Sequence, residues 1–380
     1  MTVGPGTPQG DRRAVGLRRS QSRAGRQSLA AWSSNSITAV VAAVAVLLLA
    51  VAVFFIPVPY VAWTPGSTVD VAGKTTDGTP LIEVKGLPTQ PLEGQLRMTT
   101  VSVTRVDATL TLPQALAAHW LPRRDVLPRD LYYPPSKSDD QVKAEEVAMM
   151  DTSRADAVVA ALRAAGEPVL ELPQVQTVSV AGPAHGVLQP GDLILKVDSV
   201  AVQTLDDVRE RIRRHKVGEK VVFTVERAGA QVNVTVTTEA STKDATIPVV
   251  GMTAGVGYKY APEVVYHLDS HIVGPSAGLI FALGIYDLVQ PTDVLAGRAV
   301  AGTGSIGPDG NVGAIGGIQE KIAGAEKADA QIFLVPADNC KDLAGIQTDL
   351  QLVKVATLRD AISALAQLQQ DPSGKEVPRC

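Results

Sequence analysis

Apolar and polar positions divide the chain into one long apolar run near the N-terminus and several shorter segments with strand or helix periods. The run at residues 37–56 reads ITAVVAAVAVLLLAVAVFFI, and Thr38 is its only polar side chain. A helix of about twenty residues spans roughly 30 Å, the hydrocarbon thickness of a bilayer. The run is longer than the apolar core of a cleaved signal peptide, and no small-x-small cleavage site follows it. It predicts an uncleaved transmembrane signal anchor over residues 36–57.

Three regions follow the anchor. Residues 63–171 begin as a linker and combine alternating, strand-like segments with a helical stretch, and the pattern alone assigns them to no domain. Residues 172–240 form a compact unit: the strand LILKVD, a helix from residue 205, and two alternating strands joined by an AGA turn. Residues 247–368 open with the strand IPVVGMTAGVGY and then alternate helices with strands, which indicates an α/β or α+β domain. The predicted fold is therefore multi-domain, with a mainly β unit before the α+β unit and a short tail at 369–380.

The distribution of charge predicts how the chain is oriented across the membrane. The net charge is −4, but residues 1–35 hold six arginines and one acid, so the remainder carries −9. This N-terminal stretch, rich in Gly, Arg, Ser and Gln, predicts a disordered tail. Arginines before the anchor and none directly after it predict a cytoplasmic N-terminus, with the domains after about residue 60 outside the cytoplasmic membrane. The acidic body argues against nucleic acid as a partner.

Cysteine content and glycine spacing exclude two kinds of site. Cys340 and Cys380 are the only cysteines, and their spacing matches no metal site; a bridge between them stays open. The stretch GSTVDVAGKTT resembles a phosphate-binding loop, but Gly66 precedes Gly73 by seven residues where such a loop needs five. We expect no metal, no cofactor and no ATPase module in this sequence.

The candidate chemistry centres on Ser276, which lies in GPSAGL directly before the apolar run IFALGIYDLV. A serine after Gly-Pro at a helix start is an ordinary cap. It is also where backbone N–H groups can stabilise the negative charge that develops when a serine attacks a carbonyl. The choice depends on whether the chain supplies a base.

Lys321 is the better candidate for that base. His267 and His271 are close in sequence, but no spacing indicates an Asp partner, so both favour loop or surface histidines. Lys321 follows a Gly-Gly pair in AIGGIQEKIAGAEKA and lies beside the apolar stripe that includes Ile318 and Ile322. A lysine turned inward loses solvation, which lowers its pKa and lets it act as a neutral base. The alternative, a solvated surface lysine, is our reading for Lys327.

Three motifs, GPSAGLIFALGIYD, AGTGSIGPDGNVGAIGGIQEK and IFLVP, together resemble the proteolytic domain of Lon proteases over about residues 250–366. The resemblance implies that Ser276 is the nucleophile and Lys321 the general base of a Ser–Lys dyad. It also implies that Thr303 orients the lysine, although a locally satisfied strand threonine remains the alternative. Two departures stand out: Gln319 replaces a common lysine, and Val273 a common Asp. The loss of the Asp leaves the dyad intact but puts in doubt how the serine turn is held and gated. Lon domains form rings, so the resemblance implies a homo-hexamer.

The unit at 172–240 resembles PDZ domains of bacterial envelope proteases, most closely at GVLQPGDLILKVDSVAV. Such domains bind peptide ends by adding a strand to a sheet edge; the alternative is a domain that only spaces the anchor from the next module. The whole resembles bacterial membrane-anchored PDZ–Lon proteins. It implies a serine endopeptidase that cleaves extracytoplasmic protein substrates recruited by the PDZ domain. The alternative is a non-catalytic peptide-binding scaffold with a degenerate Lon domain.

Overall fold

The structure is a computed structural model that describes residues 34–269 and 271–380. The predicted disordered tail, residues 1–35, lies almost entirely outside the described residues. Eight α-helices are present in the described part of the chain. They are α1 Ser34–Phe54, α2 Leu112–Trp120, α3 Arg129–Tyr132, α4 Asp139–Ala165, α5 Leu205–Arg213, α6 Gly278–Val289, α7 Ile318–Lys327 and α8 Leu358–Gln370.

Twenty short strands complete the described secondary structure. They are β1 Pro57–Val58, β2 Tyr60–Asp70, β3 Ile82–Lys85, β4 Gln95–Val103, β5 Leu110–Thr111, β6 Asp125–Pro128, β7 Leu170–Val178, β8 Leu193–Val197, β9 Val200–Ala201, β10 Lys220–Arg227, β11 Ala230–Thr237, β12 Glu239–Ala240, β13 Pro248–Val249, β14 Met252–Lys259, β15 Glu263–Tyr266, β16 Ala299–Gly302, β17 Ser305–Ile306, β18 Val312–Gly313, β19 Ile332–Pro336 and β20 Gln351–Val355.

Helix α1 is the apolar run predicted from the sequence. Within Asn35–Phe54, an 18-residue stretch has a mean hydropathy of 3.0, and the span contains no charged side chain. It is the one described helix long and apolar enough to cross a membrane. The described residues up to Ile56 form one compact unit, and Pro57–Cys380 form a second.

The larger sheet of residues 57–380 has the strand order β20-β19-β16-β4-β2-β6. The first four strands are parallel, and β2 runs antiparallel to both of its neighbours. Strand β19, IFLVP, is buried throughout, as expected for a central strand covered on both faces. Its Ile332 and Leu334 face a core with α4, α6 and α8, whereas Phe333 and Val335 face a core with α7. We call this part, residues 57–165 and 260–380, the main domain.

The middle domain, residues 170–259, contains a second sheet with the order β11-β10-β8-β7-β14. Helix α5 covers one face of this sheet, where Val208 and Ile212 join a separate apolar core. Thr204 and Asp207 form a capping box at the start of α5. The α+β class of the chain and its mainly β unit, both predicted from the sequence, are confirmed.

One expectation about organisation was wrong, and one region that the sequence left unassigned belongs to the main domain. The strand at 247–258, expected to open the third unit, is mostly β14 and pairs with β7 of the middle domain. Residues 63–171, left without a domain, supply β2, β4 and β6 to the sheet that holds β16 and β19. The middle domain is thus inserted into the main domain. Both pairings join segments far apart in sequence, so local periodicity could not reveal them.

The C-terminal end is tied back to the main domain. Cys340 and Cys380 form a disulfide, so the bridge that the sequence left open is present. Arg379 also forms an isolated antiparallel bridge to Val353 of β20. A 3-10 segment, Ala337–Leu343, carries Cys340.

Candidate active site

Ser276 lies in a 3-10 turn, Pro275–Ala277, that leads directly into α6. Gly274 has φ of 93°, a left-handed conformation that suits glycine, and Pro275 fixes the first position of the turn. Helix α6 is almost wholly buried, so it holds the turn against the sheet. A Cβ at Gly278 would lie 2.8 Å from the hydroxyl of Ser153, so only glycine allows this close approach.

A side chain that the sequence did not reveal also holds the turn. Ser153 of α4 donates a hydrogen bond of 3.0 Å from its hydroxyl to the carbonyl oxygen of Pro275. Ser153 is buried. Only the packing of α4 on α6 identifies it, so no local signal could have done so.

Lys321 lies in the first turn of α7 and points into the main domain, where it is 3% exposed. Gly317, at φ 69°, precedes the helix, and Gly316 lies so close to Trp63 that a Cβ there would be 2.5 Å from the indole ring. This contact brings the helix start against β2. Ile318 and Ile322 of the same helix pack into the core, so the side of α7 that holds Lys321 faces inward, as the sequence predicted.

Thr303 connects these two residues. The Lys321 amine donates a hydrogen bond of 2.9 Å to the Thr303 hydroxyl. The Thr303 hydroxyl donates in turn to the carbonyl oxygen of Ser276 at 3.0 Å, and the Gly304 N–H donates to the same oxygen at 2.9 Å. The structure therefore brings all three predicted residues together, and Thr303, which is fully buried, contacts both of the others.

Burial of Lys321 lowers the pKa of its amine to about 7, and the neighbouring Glu320 carboxylate opposes this shift by raising it. A large fraction of the amine is then neutral at physiological pH and able to accept a proton. Glu320 is a residue that sequence reasoning missed. It is 1% exposed, neither carboxylate oxygen has a hydrogen-bond partner among the described residues, and burial raises its pKa.

Ser276 and Lys321 both line a cavity of about 380 Å³, together with Trp63, Met98 and Tyr132. The Ser276 hydroxyl makes no hydrogen bond to any residue that the structure describes, so it is not bonded to Lys321 in this state. The cavity places both groups where a substrate carbonyl could reach them.

The two histidines lie elsewhere. His271 has a side chain that is 92% exposed and hydrogen-bonds Asp269 in its own loop, and His267 approaches Glu83 at 3.5 Å. Neither lines the cavity. Within residues 34–269 and 271–380, no cluster of His, Cys, Asp and Glu could hold a metal ion.

A second candidate site is a groove in the middle domain. A cavity of about 880 Å³ lies between α5 and β14, and its lining includes Leu205 and Arg213 of the helix. Strand β14 is the last strand of its sheet, so its outer edge has no partner strand in the described part of the chain. A two-residue loop, Val250 and Gly251, joins β13 to β14, and Gly251 has φ of 72°. The sequence did not reveal this loop, although an apolar-Gly-apolar triplet before an alternating strand is a signal for it.

Comparisons with known proteins identify both domains. Residues 156–238 match the PDZ domain model, and residues 270–367 match the model of the Lon protease (S16) C-terminal proteolytic domain. A Lon protease of Xanthomonas oryzae is 33% identical over 112 residues, which is 28% of this chain and 13% of that protein. Lon protease 1 of Sorangium cellulosum is 38% identical over 100 residues, or 25% of this chain and 12% of that protein.

One solved structure is a PDZ domain of an SdrC-like protein from Listeria monocytogenes. It is 26% identical, covers 22% of this chain and 85% of its own, and has a TM-score of 0.20. The match to the two Lon proteases above spans about an eighth of their length. The chain carries a PDZ domain followed by a Lon-type C-terminal proteolytic domain, which supports a serine peptidase.

Proposed function

We propose that this protein is a membrane-anchored serine endopeptidase in which Ser276 is the nucleophile and Lys321 the general base. The observation that carries the proposal is the state of Lys321, a buried amine with a pKa of about 7. The amine is hydrogen-bonded to the Thr303 hydroxyl, which also donates a hydrogen bond to the carbonyl oxygen of Ser276. Burying a lysine costs free energy, and its hydrogen bond to one threonine recovers little of that cost. A lysine whose pKa lies near neutral pH can act as a general base, and this function explains why the cost is tolerated.

In the proposed reaction Lys321 accepts the hydroxyl proton of Ser276 as the serine oxygen attacks the carbonyl carbon of a peptide bond. Backbone N–H groups at the start of α6 stabilise the oxyanion. The protonated lysine then donates to the leaving amine, and water hydrolyses the acyl-enzyme. The first step requires the Ser276 hydroxyl to come within hydrogen-bond distance of the Lys321 amine, so we expect substrate binding in the shared cavity to complete the pair.

Thr303 serves as a positioning residue in this scheme. Its hydroxyl accepts from Lys321 and donates to Ser276, so its single proton is committed to the serine carbonyl. The lone pair that faces Lys321 holds the amine at the end of a long, flexible side chain. The lysine then loses less conformational freedom on reaching the reactive geometry.

Protein substrates are recruited, in this proposal, by the groove between α5 and β14. An extended peptide can pair with the open edge of β14, because the strand lacks a partner on that side. In this proposal the apolar helix α1 tethers both domains to the cytoplasmic membrane, and the arginines before it support an outward orientation. The chain needs no ATP for peptide hydrolysis in this scheme.

A non-catalytic peptide-binding scaffold is the second candidate. The unbonded Ser276 hydroxyl favours it, because a resting dyad would show that hydrogen bond. Casein hydrolysis without ATP distinguishes the endopeptidase from the scaffold. It is measured with the full chain in detergent and with the Ser276→Ala protein prepared identically. The proposal expects hydrolysis by the parent protein alone; equal turnover in both samples would assign it to a contaminant and favour the scaffold.

A further inference from the structure

Helix α2 has two apolar faces, and only one of them is covered. Ala115 and Ala118 are buried against the main domain. Leu116 and Trp120 lie four residues apart, hence on one common face, and are 39% and 76% exposed. Leu121, directly after the helix, is 45% exposed. These three residues, the outer face of α2, form an apolar surface of the kind that marks an interaction site.

A short stretch of chain and one strand pair connect the end of the apolar helix α1 to α2. Strand β1, Pro57–Val58, begins three residues after Phe54 and pairs with β5, and α2 begins at the residue after β5. Three extended residues span at most about 10 Å. A segment that leaves the hydrocarbon of a bilayer at Phe54 has therefore reached only the headgroup layer by β1.

Residues that follow α1 and α2 in the chain have the chemistry of a membrane interface. Tryptophan and tyrosine concentrate at the headgroup level, and Tyr60, two residues after β1, is 41% exposed. Arg124 is exposed and forms no ion pair with any residue in the described ranges, whereas its neighbour Arg123 pairs with Glu326. A free arginine four residues after an exposed tryptophan in the chain fits an anionic lipid surface.

We propose that the outer face of α2 rests on the bilayer that holds α1, with Trp120 at the boundary between headgroups and acyl chains. This second contact restricts how the main domain can rotate on its tether. The inference rests on the membrane anchor of the proposed function, and it is independent of the Ser276–Lys321 chemistry.

Tryptophan fluorescence tests the contact directly. The full chain is reconstituted in phosphatidylcholine–phosphatidylglycerol vesicles with Trp32→Phe, which removes the tryptophan before the anchor. Acyl-brominated lipids of the same headgroups then quench only indoles at the hydrocarbon boundary. We expect Trp120 to lose most of its emission, and the quenched component to be missing in the Trp32→Phe/Trp120→Phe protein. Trp63, in the substrate cavity, keeps its emission in both.

A charge variant supplies the second arm. Trp120→Glu should abolish the contact, so that trypsin cleaves the vesicle-bound protein faster after Arg124. Val217→Glu, at an exposed apolar residue of the middle domain, is the matched control and should leave that rate unchanged. Flotation of both variants with the vesicles, and unchanged peptide hydrolysis, separate this inference from the anchor and from the peptidase.

Two results would overturn the proposal. Trp120 emission that brominated lipids do not quench, in protein that floats with the vesicles, removes the lipid contact. The alternative occupant is a second copy of the chain, and sedimentation of the detergent-solubilised protein tests this. If Trp120→Glu also sediments as a smaller species than the parent protein, a second copy covers this face. Protein that does not float shows instead that the anchor, and with it the membrane part of the proposed function, is wrong.

Discussion

The hydroxyl of Thr303 joins Lys321 to Ser276: it accepts a 2.9 Å hydrogen bond from the lysine amine and donates one of 3.0 Å to the serine carbonyl oxygen. Thr303 is fully buried, so water cannot replace either bond. The position of the amine relative to the serine turn is therefore set by one side chain.

Replacing Thr303 by valine keeps the shape of the side chain but removes both hydrogen bonds. One such bond is worth about 1–2 kcal/mol, which corresponds to about tenfold in rate, and we expect at least this loss in kcat. The KM of a short peptide should change little, because Thr303 contacts catalytic residues and not substrate. Thr303→Ser restores the hydroxyl and should recover most of the activity. Failure of serine to rescue, in a folded protein, would reduce Thr303 to a packing residue.

The pH dependence of kcat/KM should show the pKa of Lys321. Because burial lowers that pKa to about 7, the reactive neutral amine is lost as pH falls below 7 and dominates above it. Activity should rise through pH 7 and level off well below the ordinary lysine pKa of 10.5. A profile that still rises in proportion to hydroxide at pH 9 would contradict a buried lysine base.

Glu320→Gln provides a matched test of the same profile. The carboxylate raises the pKa of Lys321, so its removal should lower that pKa further. The acidic limb of kcat/KM then moves to lower pH, while the plateau changes little. Glutamine keeps the volume of the side chain in this buried position. A limb that moves to higher pH would show that Glu320 acts on a different group.

Lys321→Met should increase the stability of the protein while it abolishes activity. The difference between a pKa of 10.5 and about 7 corresponds to at most about 5 kcal/mol of destabilisation by the buried amine at low pH. Stability of the parent protein is thus lowest below pH 7 and increases from pH 7 toward 10.5, where the unfolded chain binds the extra proton. Thermal unfolding at pH 6 and pH 9 measures this, with a larger gain for Lys321→Met at pH 6. An equal Tm for both proteins would mean that water solvates the lysine.

The sequence predicted those features of the fold and the site that have a local pattern of residues, and it did not predict those that depend on distant contacts. The apolar run at residues 37–56 forms most of helix α1, and the inward direction of Lys321 follows from the apolar stripe beside it. The membership of β14 in the middle domain, the role of Ser153, and the Cys340–Cys380 bridge all depend on contacts between segments far apart in sequence. No periodicity records such contacts. Glu320 was missed because an acid beside a lysine on a helix reads as a surface pair.

The disulfide gives a test of topology. Oxidising compartments keep such bridges closed, whereas the cytoplasm reduces exposed ones. If the domains after α1 lie outside the cytoplasmic membrane, Cys340 and Cys380 should resist maleimide alkylation in cells until a reductant is added. Protease added to spheroplasts should also degrade both domains. If Cys340 and Cys380 react as free thiols and both domains are fully protected from protease, these domains lie in the cytoplasm.

Recruitment by the groove of the middle domain predicts a split between large and small substrates. Leu205→Lys puts a charge into the apolar lining of the groove, so it should raise the KM for casein severalfold and leave hydrolysis of a short fluorogenic peptide unchanged. Glu210→Lys, on the same helix but outside the lining, is the control. Equal effects on both substrates would remove recruitment from the account.

The most direct test of the central claim is the hydrolysis rate of Lys321→Arg. Arginine keeps the positive charge and much of the length, but its pKa above about 12 prevents it from accepting a proton. If Lys321 is the base, Lys321→Arg is as inactive as Lys321→Ala and Ser276→Ala. The double variant Ser276→Ala/Lys321→Ala should then lose hardly more than either single variant, because the pair acts as a unit. A folded Lys321→Arg protein that retains substantial activity would contradict the dyad.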